Sequence, residues 1–225
     1  MEFQLLPQDP KPQVRTLNPT FVGSSVLAVK YRDGVLMGTD TLISAGHSGR
    51  EFSKERLVKI GDRCVIACSG DHADLQHLGE YLQSVHLKDE MMGDDITKSA
   101  EEYHSLLSRM IYNQRNKMNP YWTNMVVIGD GNNGKDFFLG SCDMWATSLK
   151  EDLWTTGLGH YFSVPHLRNV KDVKEMSLEE AKELLIKCFK INSKYDCFSS
   201  EEIQFAYVNA TGTHIETPLR ASPRM

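Results

Sequence analysis

Residues 23 to 40 read Gly-Ser-Ser-Val-Leu-Ala-Val-Lys-Tyr-Arg-Asp-Gly-Val-Leu-Met-Gly-Thr-Asp, and two alternating strand patterns meet inside this stretch. Val26, Ala28 and Lys30 share one face, while Ser25, Leu27, Val29 and Tyr31 share the other. Asp33-Gly34 marks a hairpin turn, because glycine reaches the positive φ that short hairpin loops require. The second strand, Val35 to Thr39, ends on Asp40, so the hairpin carries Asp40 back to the neighbourhood of Ser24.

At 225 residues the chain is one large domain or two small ones and can bury a substantial core. A net charge of -5 argues against nucleic acid or an anionic membrane as partner, since both favour basic surfaces. No apolar run approaches the roughly 20 residues of a membrane span. Residues 1–15 lack a signal-peptide core, and Pro7, Pro10 and Pro12 give them an extended, leader-like character. Five cysteines without zinc-type spacing read as reduced, buried thiols of a cytoplasmic or nuclear protein.

Outward from the hairpin, residues 1–22 read as an irregular leader and Thr41 to Phe52, rich in Gly and Ser, as a surface loop. Leu57 to Ile60 and Cys64 to Cys68 form a second hairpin around Gly61-Asp62. Ser69-Gly70-Asp71 then opens a helix with Leu75, Leu78, Leu82 and Val85 on one face. Asp94, Asp95 and Thr97 offer caps for a second helix, striped by Tyr103, Leu106, Leu107, Met110 and Ile111 and fading before Pro120. Strands follow at Met125 to Ile128, Phe137 to Leu139 and Met144 to Thr147, then a short helix around Val164 to Val170. Ser177 with Glu180 is a capping box for a helix ending near Asn192. Ile203 to Asn209 and Thr213 to Glu216 make a last hairpin, and Thr217 to Met225 an irregular tail. Strands and helices in alternating blocks predict an α+β fold of two stacked antiparallel sheets covered by helices.

Gly129, Gly131 and Gly134 fit a phosphate-binding G-x-G-x-x-G pattern, and a nucleotide-binding module there is one reading. Such a site needs a helix N-terminus next, yet Asp136-Phe137-Phe138-Leu139 reads as a strand, so a hairpin turn is expected. The eight histidines show no ligand-like pairing, and His72 and His77 do not share a helix face well. Neither a metal nor a cofactor is expected.

One chemistry fits the opening stretch. A hydroxyl residue freed at a new N-terminus can use its own α-amine as base, because that amine has a pKa of roughly 7.7–8.0. Ser24 after Gly23, with Asp40 facing it and Gly70 at a strand-to-helix turn for an oxyanion, could supply the parts.

Gly23-Ser24-Ser25-Val26 through Gly38-Thr39-Asp40, Ser69-Gly70-Asp71 and Thr156-Gly157-Leu158-Gly159 resemble the β subunits of the 20S proteasome. Thr16-Leu17-Asn18-Pro19 and Asn116-Lys117-Met118-Asn119-Pro120-Tyr121-Trp122-Thr123-Asn124 are similar to one non-catalytic seat of that ring, the seventh. The resemblance, from Thr16 to Glu216, implies the N-terminal-nucleophile hydrolase fold, a four-layer αββα sandwich. It implies a leader of residues 1–15, trimmed between Arg15 and Thr16 by active neighbours, and a single domain over 16–225. It places Ser24 at the nucleophile position, Asp40 and Asp196 at the acids, Ser199 beside them and Gly70 at the oxyanion glycine. Arg56 replaces the family's lysine, Leu158 a serine and Leu42 an arginine, so the site is expected to be vestigial. The expected role is architectural, in the cytoplasm and nucleus, with β subunits beside it, the α ring along the axis and β subunits of the opposite ring. Cleavage after Gly23 would instead give an active peptidase using Ser24.

Overall fold

The computed structural model describes residues 19–94, 96–131, 136–170 and 173–221. The proposed trimming point Arg15–Thr16, the cap candidate Asp95, Gly134 and the last four residues of the tail lie outside them. In chain order the strands are β1 (Phe21–Gly23), β2 (Val26–Tyr31), β3 (Gly34–Asp40), β4 (Ile43–Ala45), β5 (Ser48–Glu51), β6 (Val58–Ile60) and β7 (Cys64–Asp71). They continue as β8 (Thr123–Asp130), β9 (Phe137–Cys142), β10 (Ser148–Lys150), β11 (Leu153–Thr155), β12 (Glu202–Asn209), β13 (Gly212–Ile215) and β14 (Leu219–Arg220). The helices are α1 (His72–Met92), α2 (Ala100–Asn116), α3 (Gly159–Phe162), α4 (Val164–Arg168) and α5 (Leu178–Tyr195).

One sheet runs β10-β9-β8-β7-β1-β4-β5 with β6 beside β7, and the other runs β11-β2-β3-β12-β13 with β14 beside β12. Every pairing is antiparallel. Period-2 alternation sends successive residues to opposite faces, and here both faces are buried. In β7, Cys64, Ile66 and Cys68 meet Leu75, Leu78 and Leu82 of α1 and Leu107 and Ile111 of α2. Val65 and Ala67 point the other way, into a layer shared with Val26, Ala28, Val35, Met37, Val126, Ile128, Ala206 and Val208. Beyond the second sheet, Leu27, Val29, Leu36 and Phe205 pack on Leu185, Cys188 and Phe189 of α5. Helices, sheet, sheet and helices thus enclose three apolar layers, the αββα sandwich. Each fully buried aliphatic side chain contributes roughly 1.5–3 kcal/mol of transfer free energy, set against the entropy of ordering the chain.

Several boundaries differ from expectation. Phe21 and Val22, expected in the irregular leader, instead form a strand with Gly23, because the segment finds partners on both sides: Gly23 is opposite Ile43 of β4 and Gly70 of β7. The stretch Thr41 to Phe52 carries β4 and β5 for the same reason, its Gly and Ser content notwithstanding. Met144 to Thr147 is a turn in which the Asp143 carboxylate accepts from the Trp145 and Thr147 N–H groups, and the strand begins at Ser148. α2 is capped by Ser99, whose hydroxyl accepts from the Glu102 N–H while the Glu102 carboxylate accepts from the Ser99 N–H. The tail contributes β14, paired with Glu202 and Ile203. The Gly129 region is a hairpin in which Asp130 faces Phe137 and the Gly131 N–H donates to the Asp136 carbonyl. The next described element is β9, a strand and not a helix, so no phosphate-cradling helix follows.

Candidate functional site

Ser24 stands at the junction of the two sheets, between β1 in one and β2 in the other. The β2–β3 register sets Val26 opposite Thr39, which brings Asp40 to the level of Ser24 and Ser25. The extended segment before β6 delivers Arg56, and the C-terminal end of α5 delivers Asp196.

These groups form one buried cluster. The Ser24 hydroxyl donates to Asp196 Oδ2 at 2.9 Å, and Asp196 Oδ1 accepts from the Phe198 N–H at 2.9 Å. Arg56 Nη1 pairs with Asp40 Oδ1 and also donates to the Asp40 carbonyl at 3.1 Å. Arg56 Nη2 donates to the Ser24 carbonyl at 2.6 Å and to the Cys68 carbonyl at 2.9 Å. Asp40 Oδ2 accepts from the Ser200 N–H at 3.0 Å. Arg56 is 1% exposed and Asp40 0%, so neither charge has water to fall back on. Burial pushes the Asp40 carboxyl up to about 6, against the pull of the Arg56 guanidinium and the Ser200 N–H.

The other expected residues sit differently. Gly70 has φ +111°, and a Cβ there would collide with the Trp122 carbonyl, so only glycine fits. Its edge toward Ser24 is taken by Gly23 of β1. Leu158 is 42% exposed, and its turn reaches Ser25 rather than Ser24: the Gly159 N–H donates to Ser25 Oγ at 2.8 Å. Thr156 and Val26 close the same junction, with the Val26 N–H donating to Thr156 Oγ1 at 3.0 Å. Ser199 gives its N–H to the Asp196 carbonyl, and it is Ser200 that reaches Asp40. Leu42 is buried. Sequence reading thus missed Ser25 and Ser200, both of which act through groups that no residue pattern marks. Among the described residues no group of three or more His, Cys, Asp or Glu side chains could hold a metal ion.

The chemical capacity of the cluster follows from its proton acceptors. In the uncleaved chain the Ser24 nitrogen is a peptide amide in the link between β1 and β2, and the Ser24 hydroxyl donates to the Asp196 carboxylate. An amide nitrogen cannot serve as the base that a free α-amine provides to a hydroxyl nucleophile. A cavity of about 300 Å³ beside β1, reaching Ile43, Lys54, His72 and Gln76, is lined in part by the chain's own Phe21.

The proteasome subunit family matches residues 20–208. The chain is 38% identical over 206 residues to proteasome subunit beta type-4 of Dictyostelium discoideum, spanning 91% of this chain and 79% of that protein. It is 37% identical over 209 residues to proteasome subunit beta type-4 of Xenopus laevis, spanning 92% and 86%. It is 31% identical over 208 residues to proteasome subunit beta type-7 of Saccharomyces cerevisiae, spanning 88% and 77%. With this coverage, and with two antiparallel sheets between helix layers, the chain belongs to the proteasome subunit family, as a β-type subunit.

Proposed function

We propose that this β subunit is a non-catalytic, structural member of the 20S core particle, supporting ring assembly while neighbouring subunits hydrolyse peptides. The observation that carries this reading is the continuous strand ahead of Ser24, with Gly23 paired to both β4 and β7. Ser24, in the link between β1 and β2, has no free amine while Gly23 is attached, and its hydroxyl is committed to Asp196. Arg56 adds support, since its guanidinium is spent on four acceptors, in a fixed planar arrangement that a lysine ammonium does not offer. Vestigial roles are thereby assigned to Ser24, Asp40, Arg56, Gly70, Leu158, Asp196 and Ser199. Assembly with other proteasome subunits follows from the family. The finer arrangement belongs to the proposal: β subunits at its sides, the α ring along the axis, β subunits of the opposite ring across the equator, and trimming at Arg15–Thr16. Work in the cytoplasm and nucleus fits five free cysteines, four of them buried.

One observation favours the alternative of an active hydrolase. Two buried carboxylates, Asp40 and Asp196, share the cluster with Arg56, the one buried lysine or arginine among the described residues, and an ammonium released at Ser24 would balance them. The intact mass of the chain recovered from its native particle decides. A start ahead of Ser24 fits the non-catalytic subunit, and a start at Ser24 overturns it. Ser24→Ala should leave every peptidase activity of the particle unchanged.

A further inference from the structure

The Arg56 guanidinium occupies the space that any side chain at residue 23 would need. A Cβ on Gly23 would stand 2.5 Å from Nε and 2.7 Å from Cζ and Nη2, far inside contact distance. The same Nη2 reaches past the glycine to the Ser24 carbonyl and to the Cys68 carbonyl of β7. The guanidinium plane therefore lies against the backbone at Gly23 and Ser24 and ties it to the strand next door. Its other nitrogen is held by Asp40, which is held in turn by the Ser200 N–H. A lysine ammonium is a point charge on a flexible stem, and it could not cover Gly23 and grip two carbonyls from one plane.

We propose that Arg56 is a lock on the backbone at Gly23 and Ser24: its guanidinium covers Gly23, grips the Ser24 carbonyl and the Cys68 carbonyl of β7, and so keeps residues 21–23 as a permanent strand of the folded subunit. The substitution that departs from the family's lysine thus has a positive structural task. Glycine at 23 is part of the same device, because only a residue without Cβ admits the plane. The inference rests on the non-catalytic reading in one respect, that Gly23 and Ser24 stay joined.

The test is hydrogen exchange on the assembled particle carrying the full chain, with intact mass measured on the same sample. Gly23→Ala displaces the guanidinium without altering any charge. The double variant Arg56→Met/Asp40→Asn removes the guanidinium without stranding the carboxylate paired with it. Both should speed exchange of the amides of residues 22–25 by about tenfold or more, with Val65–Cys68 and Val126–Ile128 unchanged. Arg56→Lys, which preserves the charge, should give a smaller rise at the same amides and serves where the other variants do not enter the particle. Exchange equal to that of the unaltered chain overturns the lock and leaves the non-catalytic reading standing. A rise spread evenly over the core also overturns it, since it reports general loosening. An unaltered chain that starts at Ser24 overturns both.

Discussion

The middle of the sandwich and its Ser24 end are buried to the same degree but held by different physics. In the middle, Val26, Ala28, Val35, Met37, Val65, Ala67, Val126 and Ile128 present only volume to one another. At the Ser24 end, Asp40, Arg56 and Asp196 are as deeply buried, yet each depends on particular atoms of its partners. An apolar layer tolerates exchange of residues that conserve volume. A buried ion pair confers little net stability over apolar replacements, but removing one partner strands the other. The charged end is therefore costly to alter one residue at a time, whatever its present use.

The largest effect should come from Arg56→Ala, which leaves Asp40 buried without its cation and should cost about 3–5 kcal/mol. Replacing both partners, Arg56→Met with Asp40→Leu, should cost less than half as much. Opening of the core, read from exchange of the Val65–Cys68 amides, measures both. Equal losses in the two variants would erase the distinction between the two ends. Next in size is the apolar middle, where Met37→Ala should cost about 3 kcal/mol and Ile128→Val about 1 kcal/mol by the same readout. The dependence on partner atoms predicts rescue at the charged end by replacing the stranded partner, and at the apolar middle only by refilling the lost volume. Ser177→Ala removes the cap of α5 and should cost about 1 kcal/mol, with exchange rising first at the start of that helix.

A pH profile sharpens the comparison further. The Asp40 carboxyl is raised from 3.8 to about 6, so the folded subunit holds that proton more tightly than the unfolded chain. Its stabilising contribution is complete below about pH 4 and is lost as pH rises through about 6. His104 in the helix-facing layer has the opposite sign. Burial lowers its pKa from 6.5, so its contribution is present above that value and is lost as the pH falls. Asp40→Asn should abolish the loss on raising the pH from about 4 to 6 while leaving the acid loss from His104 in place. A variant that still loses stability over that interval would assign the effect elsewhere.

The layers were legible because long strands with both faces buried write their alternation into the sequence. Val26 and Ala28 point one way and Leu27 and Val29 the other, as the residues alone suggested. The Ser177–Glu180 capping box was equally readable, whereas the Ser99–Glu102 box was passed over for Asp94, Asp95 and Thr97 nearby. The short strands β1, β4 and β5 were not legible. Three or four residues carry no period, and their conformation is set by neighbours that arrive from elsewhere in the chain. At the site, the β2–β3 hairpin foretold the approach of Asp40 to Ser24, and the family resemblance led to Arg56 and Asp196. The Ser200 N–H and the Ser25 hydroxyl were hidden because a backbone donor belongs to every residue, and a serine beside a serine has no distinguishing mark.

The position of β1 in its sheet has a topological consequence. In the order β7-β1-β4-β5, Phe21–Gly23 is, among the described residues, the strand that bridges the body of that sheet and the β4–β5 hairpin. Neighbouring strands lie about 4.7–4.9 Å apart, so without these residues β7 and β4 would face each other across a slot nearly 10 Å wide. Both walls of the slot would offer unpaired backbone groups, the template that receives an extended peptide from another molecule. In this subunit that berth is filled by its own chain.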